Sequence, residues 1–333
     1  MKAIIPVAGA GTKLRPLTYT QPKALIPIAG KTILSVIIDQ LQEAGVTEFI
    51  FVIGYLGEKI ERYLLKNYPS LKYTLVNQTD RKGTGHAIWL TRNAVENDEV
   101  MIVLGDTICD YDVKKVITSK VSQIGVKKVD DPRGFGVAEL NDTDKVLKVV
   151  EKPLIPKSNM AMVGVYYIKE TEAMYKALNQ NLTDRADEEG EYHLTNALQY
   201  MIEQGITFNA FRVNNWFDCG KKESLLYTNS VLLKEQSEKN KETTTSYRYD
   251  TSVIIPPVSI AEGCTISHSI IGPNVTIGEH TNIKASIIKD TIIGSFAELD
   301  EVVLHSSIIG SDAYVRGLSQ SLNIGDNTEI DLK

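Results

Sequence analysis

Short apolar runs alternate with segments of helical spacing through the first half of this 333-residue chain. Met1 to Ala8, Glu48 to Ile53, Lys72 to Val76 and Glu99 to Leu104 read as strands. Between them, Ile33 to Glu43, Glu58 to Lys66 and Gly85 to Val95 repeat apolar residues three and four apart, the period of a helix with one buried face. Alternation of this kind predicts a Rossmann-like, mostly parallel α/β sheet with helices on both faces, where ligands gather at the C-terminal ends of the strands. Further β-rich segments, Val121 to Val129, Gly136 to Leu140, Val146 to Val150 and Met162 to Ile168, read as an insertion beside the ligand. Helices are expected at Glu170 to Leu178, from about Leu194, and at Asn229 to Lys239, with a strand at Thr207 to Val213.

The pattern changes after Asp250. Ile254, Ile260, Ile266, Ile271, Ile277, Ile283, Ile288, Ile293, Leu299, Leu304, Ile309 and Val315 recur at a spacing of five or six, with I-I-G at Ile270, Ile292 and Ile308. One inward aliphatic per hexad is the signature of a left-handed parallel β-helix, here of roughly four coils. An antiparallel sandwich would not require this period. The expected organisation is therefore a domain at 1–237, a polar, Thr-rich linker at 238–250, and the β-helix at 251–333.

Charge narrows the choice of partner. The formal net charge is −6 and no basic tract is present, which argues against nucleic acid. No apolar run approaches the ~18 residues of a membrane span, and only Lys2 precedes the first strand, so no membrane partner and a cytoplasmic location are expected. The three cysteines, Cys109, Cys219 and Cys264, lack zinc spacing, and Cys109 and Cys219 read as small buried thiols.

The first strand runs directly into G-A-G-T-K-L-R-P-L-T at Gly9 to Thr18, followed by Lys23 in Q-P-K-A-L-I-P-I. Glycines after a buried strand permit positive φ and let backbone N–H groups approach an anion, while Lys13, Arg15 and Lys23 supply cations. This is a candidate triphosphate site. It fits neither a Walker loop nor G-x-G-x-x-G. Arg15 is equally compatible with a ligand contact and with a solvated surface charge.

In order and length these motifs resemble the sugar-1-phosphate nucleotidylyltransferases, whose signature reads G-x-G-T-R-L-x-P-L-T and then P-K-x-L-x-P. The resemblance covers nearly the first 230 residues and implies a role for each matching position. Ala8, Gly9, Gly11 and Thr12 match the nucleotide loop, and Gln78, Gly83 and Thr84 in N-Q-T-D-R-K-G-T-G match the pyrimidine and base elements. Asp106 in V-L-G-D-T and Asp218 in W-F-D-C-G match two metal-binding carboxylates, implying Mg²⁺ as cofactor. Glu151 and Lys152 in V-E-K-P, with Gly136, Val163, Gly164 and Tyr166, match the sugar side. Lys13 departs from the family arginine, a planar fork replaced by a flexible point charge. Residues Glu191 to Thr195 match a segment near the sugar pocket whose individual roles the sequence does not assign.

The resemblance implies Mg-assisted direct displacement at the α-phosphorus of a nucleoside triphosphate by a sugar 1-phosphate, with Lys13, Lys23, Asp106 and Lys152 as the catalytic set. It favours dTTP or UTP with glucose 1-phosphate, for polysaccharide or deoxysugar synthesis. A mannose-1-phosphate guanylyltransferase stays open, as does a non-catalytic regulatory subunit of the same fold. A homo-oligomer is expected, the β-helix serving oligomer contact or allosteric packing rather than acyl transfer at His268, His280 or His305.

Overall fold

The computed structural model describes residues 1–183, 190–239 and 251–317. Two compact units divide the chain, Met1–Thr228 and Asn229–Lys333. In the first, a nine-stranded sheet runs among the described residues. Lys2–Pro6 lies at its centre, parallel to Glu48–Ile53 on one side and Val100–Val103 on the other, and Lys72–Asn77 adds a further parallel strand beyond Glu48–Ile53. All of Val100–Val103 is buried, as expected of a parallel strand covered on both faces.

The second half of the sheet is mixed: Met160–Ile168 and Val146–Val150 run against the first half, whereas Ser122–Lys128, Val137–Leu140 and Phe208–Arg212 run with it. Met160–Ile168 pairs antiparallel with Val100–Val103 and also meets Ser122–Lys128 and Val137–Leu140. Val146–Val150 closes a hairpin onto Val137–Leu140, and Phe208–Arg212 runs parallel to Ser122–Lys128. This is the insertion that the sequence pattern predicts, folded into the same sheet rather than set apart from it.

Local chemistry explains where elements start and stop. The helix Ile33–Glu43 begins behind a capping box in which Thr32 Oγ1 accepts from the Ser35 N–H at 3.1 Å and Ser35 Oγ accepts from the Thr32 N–H at 2.8 Å. The helix expected from Gly85 to Val95 is instead two pieces, Gly83–Leu90 and Arg92–Val95. Thr91 divides them: its hydroxyl bonds the Ile88 carbonyl at 2.7 Å and meets the Tyr175 hydroxyl at 2.9 Å, competing with the helical ladder. The last helix, Lys222–Lys239, starts seven residues earlier than its expected start at Asn229. The unit boundary falls inside that helix, and the expected linker lies outside the described residues from 240 to 250.

The second unit is a left-handed parallel β-helix. Three sheets of four short parallel strands stack coil on coil, among them Val253–Ile254 on Ile270–Ile271 on Ile287–Lys289 on Val303–His305. All twelve positions of the hexad pattern line its interior, from Ile254 to Val315. Corner residues such as His268, Asn274, His280 and Phe296 adopt positive φ, which turns each strand into the next face. His280 stacks on Phe296 with ring centroids 5.2 Å apart, a packing role at that corner. The last residues of the expected β-helix, 318–333, lie outside the described residues.

Alternation within one short strand provides a test of register. Ile288 is 0% exposed in the β-helix core, whereas the next residue, Lys289, is exposed. Ile288→Ala is expected to destabilise the unit by about 2–5 kcal/mol and Lys289→Ala by less than about 0.5 kcal/mol in urea unfolding.

Candidate active site

Each parallel strand at the centre of the sheet ends in a glycine or a small residue that allows its neighbours to close in. A Cβ at Gly105, after Val100–Val103, would lie 2.3 Å from Val7 Cγ1 and 2.8 Å from the Pro6 carbonyl. One at Gly54, after Glu48–Ile53, would lie 2.9 Å from Ala8 Cβ and 3.0 Å from the Gln78 carbonyl. Ala8 accepts the Tyr55 N–H at 3.2 Å and the Gln78 N–H bonds the Ile53 carbonyl at 2.8 Å. Ala8, Gln78 and the start of the Asp106 segment therefore meet at one sheet edge. Gly105 belongs to the V-L-G-D-T motif, whereas Gly54 escaped the motif reading although it too stands just after an apolar strand, the signal that would have found it.

The glycine loop is only partly as expected. Gly11 has φ +61°, and a Cβ there would lie 2.9 Å from Thr18 Cγ2 and 3.2 Å from Lys23 Cβ. The Thr18 hydroxyl donates to the Gly11 carbonyl at 2.8 Å and pins the turn onto the Lys23 segment. Gly9, by contrast, has no positive φ and nothing crowds it, so it leaves open space rather than making a tight turn. A single 3-10 turn, Thr12–Leu14, buries Leu14 and leaves Thr12 and Lys13 exposed on the rim. The Arg15 guanidinium packs over the Tyr19 ring, 5.0 Å from its centroid.

Two strands bring the predicted carboxylates together. Thr107–Asp110 pairs antiparallel with Asn215–Asp218, placing Thr107 opposite Asp218, and the Cys219 N–H bonds the Asp106 carbonyl at 3.0 Å. Lys23 Nζ reaches Asp106 Oδ2 at 2.7 Å. Burial, then the neighbouring Asp106 charge, raises the Asp218 pKa above its ordinary value, against the opposing pull of Lys23, a Gly220 N–H bond and Lys13. Lys13, Lys23, Asp106 and Asp218 thus form one electrostatic group. Cys109 and Cys219 are buried beside it, and burial pushes the Cys219 thiol up to about 12, so both stay protonated as space-filling groups.

The donor set suits a hard cation. Asp106 and Asp218 offer carboxylate oxygens at one corner, where burial first and the Asp106 charge second raise the Asp218 pKa against the pull of Lys23. No cluster of three or more His, Cys, Asp or Glu side chains lies among the described residues, so the remaining coordination would come from water and ligand oxygens, as Mg²⁺ commonly takes it.

On the sugar side the structure assembles Gly136, Glu151 and Thr195. The Thr195 hydroxyl donates to Glu151 Oε2 at 2.5 Å, and His193 Nδ1 lies 4.0 Å from Glu151 Oε1. A Cβ at Gly136 would lie 3.2 Å from Glu151 Oε2 and 3.3 Å from Thr195 Oγ1. Lys152 follows with φ +39°, a left-handed conformation unusual for a residue bearing a Cβ, and its side chain is exposed. The other sugar-side positions present no exposed side chain. Val163 and Tyr166 are interior side chains, 1% and 4% exposed. Gly164, φ +81°, makes room for Leu104, since its Cβ would lie 2.8 Å from that side chain.

The G-T-G element also has a role that the motif did not indicate. Cβ atoms at Gly83 and Gly85 would lie 2.6 Å and 2.9 Å from the Tyr192 carbonyl. The Gly85 N–H bonds that carbonyl at 2.7 Å, the Tyr192 N–H bonds the Lys82 carbonyl at 2.9 Å, and Thr84 Oγ1 accepts the Leu194 N–H at 3.1 Å. Its glycines admit the backbone of 191–195, and Thr84 anchors the start of the helix Leu194–Glu203. Gln78 is 5% exposed, its Nε2 donating to the Gly83 carbonyl at 3.1 Å and lying 3.1 Å from His86 Nδ1. Tyr192, His193 and Thr195 were thus invisible as contacts in the sequence, where only their order was readable.

Comparison with known proteins identifies a family. A model of the nucleotidyl transferase family matches residues 2–235. The low-salt glycan biosynthesis nucleotidyltransferase Agl11 of Haloferax volcanii is 28% identical over the full length of both chains. A glucose-1-phosphate thymidylyltransferase of Streptomyces antibioticus is also 28% identical over all of both chains. A crystal structure of UDP-glucose pyrophosphorylase complexed with UDP-glucose superposes with TM-score 0.62 at 24% identity, over 70% of this chain and 98% of that one, a likeness of fold. With seven-tenths of its length matched by the family model, beginning at the strand that feeds the glycine loop, the chain belongs to the nucleotidyl transferase family.

Proposed function

We propose that this protein transfers a nucleotidyl group from dTTP or UTP to a sugar 1-phosphate, glucose 1-phosphate foremost, releasing pyrophosphate. The observation that carries this reading is the corner where Lys23 pairs with Asp106 beside Asp218, with the charge of Lys13 in range. The names of the Streptomyces relative and of the solved UDP-glucose complex support the substrate class.

The chemistry follows from charge. An oxygen of the sugar phosphate attacks the α-phosphorus, the bond to the bridging oxygen of the β-phosphate breaks, and pyrophosphate leaves with that electron pair. The nucleophile is already anionic, so the step requires no general base and depends on alignment and neutralisation. Lys23 and Lys13 face the triphosphate, and Lys152 faces the sugar phosphate. Glu151, its carboxylate held by Thr195, accepts hydrogen bonds from sugar hydroxyls. Gln78 Nε2 is committed to Gly83 and His86, which leaves Oε1 to accept an imide N–H of the base. Asp106 and Asp218 are the residues that would hold Mg²⁺, which supplies charge neutralisation at the phosphates when bound.

A pyrophosphate-release assay crossing nucleoside triphosphates against sugar 1-phosphates tests the reading. Turnover is expected with a pyrimidine triphosphate and glucose 1-phosphate, to be lost on chelation and restored by Mg²⁺. Asp106→Asn and Lys23→Ala are each expected to lower kcat by about 10²–10³-fold. Nucleotide binding without release for any pair would instead favour a regulatory subunit. Lys152→Gly provides a separate check: removing the Cβ at φ +39° is expected to raise stability by up to about 1 kcal/mol while kcat/KM for the sugar phosphate falls.

A further inference from the structure

The β-helix pattern contains more aliphatic residues than its core uses. Each I-I doublet points one side chain inward and leaves its neighbour on the outside of the coil. On one face the inward residues are Ile254, Ile271, Ile288 and Leu304. The outward residues beside them are Val253, Ile270, Ile287 and Val303, directly stacked by the strand register. These four are 57%, 39%, 48% and 73% exposed.

The other two faces differ. On one, Thr276 and Ile292 are also outward but only 1% and 0% exposed, and Thr276 Oγ1 donates to Asn229 Oδ1 at 2.7 Å within the same unit. The remaining face carries polar outward columns, Thr265, Asn282, Glu298 and Tyr314 beside Ser267, Lys284, Asp300 and Arg316. The exposed aliphatic column is therefore peculiar to one face and continues through every coil of it. With Ile255, 41% exposed at one end, it presents on the order of 400 Å² of apolar surface, a size that marks an interaction site.

We propose that this ladder is the centre of a two-fold interface with a second copy of the same chain, the two columns packing antiparallel. A two-fold axis crossing the column places Val253 opposite the partner copy's Val303 and Ile270 opposite its Ile287, so like meets like along the whole seam. Charge selects this direction. The second outward column runs Ile255, Gly272, Lys289, His305, apolar at one end and basic at the other. Antiparallel packing sets the basic end against the apolar end of the second copy, whereas parallel packing would bring Lys289 level with Lys289. Roughly 800 Å² per partner makes a standard interface, so the ladder supplies about half, with Lys289 and His305 in the rim around it.

The pairing of Ile270 with Ile287 gives the arrangement a distinctive test by sedimentation equilibrium. The full-length wild-type chain is expected at twice the mass of either Ile270→Glu or Ile287→Lys, each of which buries an unpaired charge and weakens association by roughly 100-fold or more. Circular dichroism identical to wild type shows that each variant is folded. On mixing, the two variants are expected to recover the wild-type mass, because one copy's Glu then faces the other's Lys and the second contact is again isoleucine on isoleucine. A wild type at the mass of the variants, a three-fold assembly, or a mixture no heavier than its parts would overturn the proposal.

Discussion

A four-residue antiparallel pairing, Thr107–Asp110 against Asn215–Asp218, holds two carboxylates at one corner of the sheet, and the chemistry of the site depends on that pairing. Burial, and after it the repulsion of a like charge, raises the pKa of Asp218 in this corner. The fold sustains it because Lys23 pairs with Asp106 and the Cys219 N–H ties the two segments together. The result is a corner where carboxylate oxygens and lysine charge lie side by side.

The substrate halves of the site are joined through backbone rather than through side-chain chemistry. Residues 191–195 hydrogen-bond with Lys82–Gly85 of the G-T-G element, while Thr195 in the same segment holds Glu151. A Cβ at Gly83 or Gly85 would separate that segment from its partner. These glycines therefore set the spacing between the G-T-G element and the segment that holds Glu151. Lys152, held in a left-handed conformation one residue after Glu151, is the point where local strain accompanies this spacing.

The β-helix distributes its hydrophobic residues by a different rule. One aliphatic per hexad fills the core, and the excess is placed on two of the three faces. On one of these the outward Thr276 and Ile292 are buried, and on the other the outward aliphatics stay exposed, a difference that a five- or six-residue spacing does not reveal.

The sequence by itself determined the elements, the hexad core and the chemical identity of the Lys23, Asp106, Asp218 and Glu151 positions, because periodicity and residue type are local properties of the chain. It carried the Glu48–Ile53, Ile33–Glu43 and Val146–Val150 limits to the residue. Only the tertiary structure decided that Val163 and Tyr166 turn into the core, that Gly164 accommodates Leu104, that Arg15 rests on Tyr19, and that Thr195 holds Glu151. Each of those depends on which distant segment packs against a residue. The bulge in Met160–Ile168 between Met162 and Tyr166 redirects side chains by pairing register, and register is set between strands, beyond the reach of any one strand's own sequence.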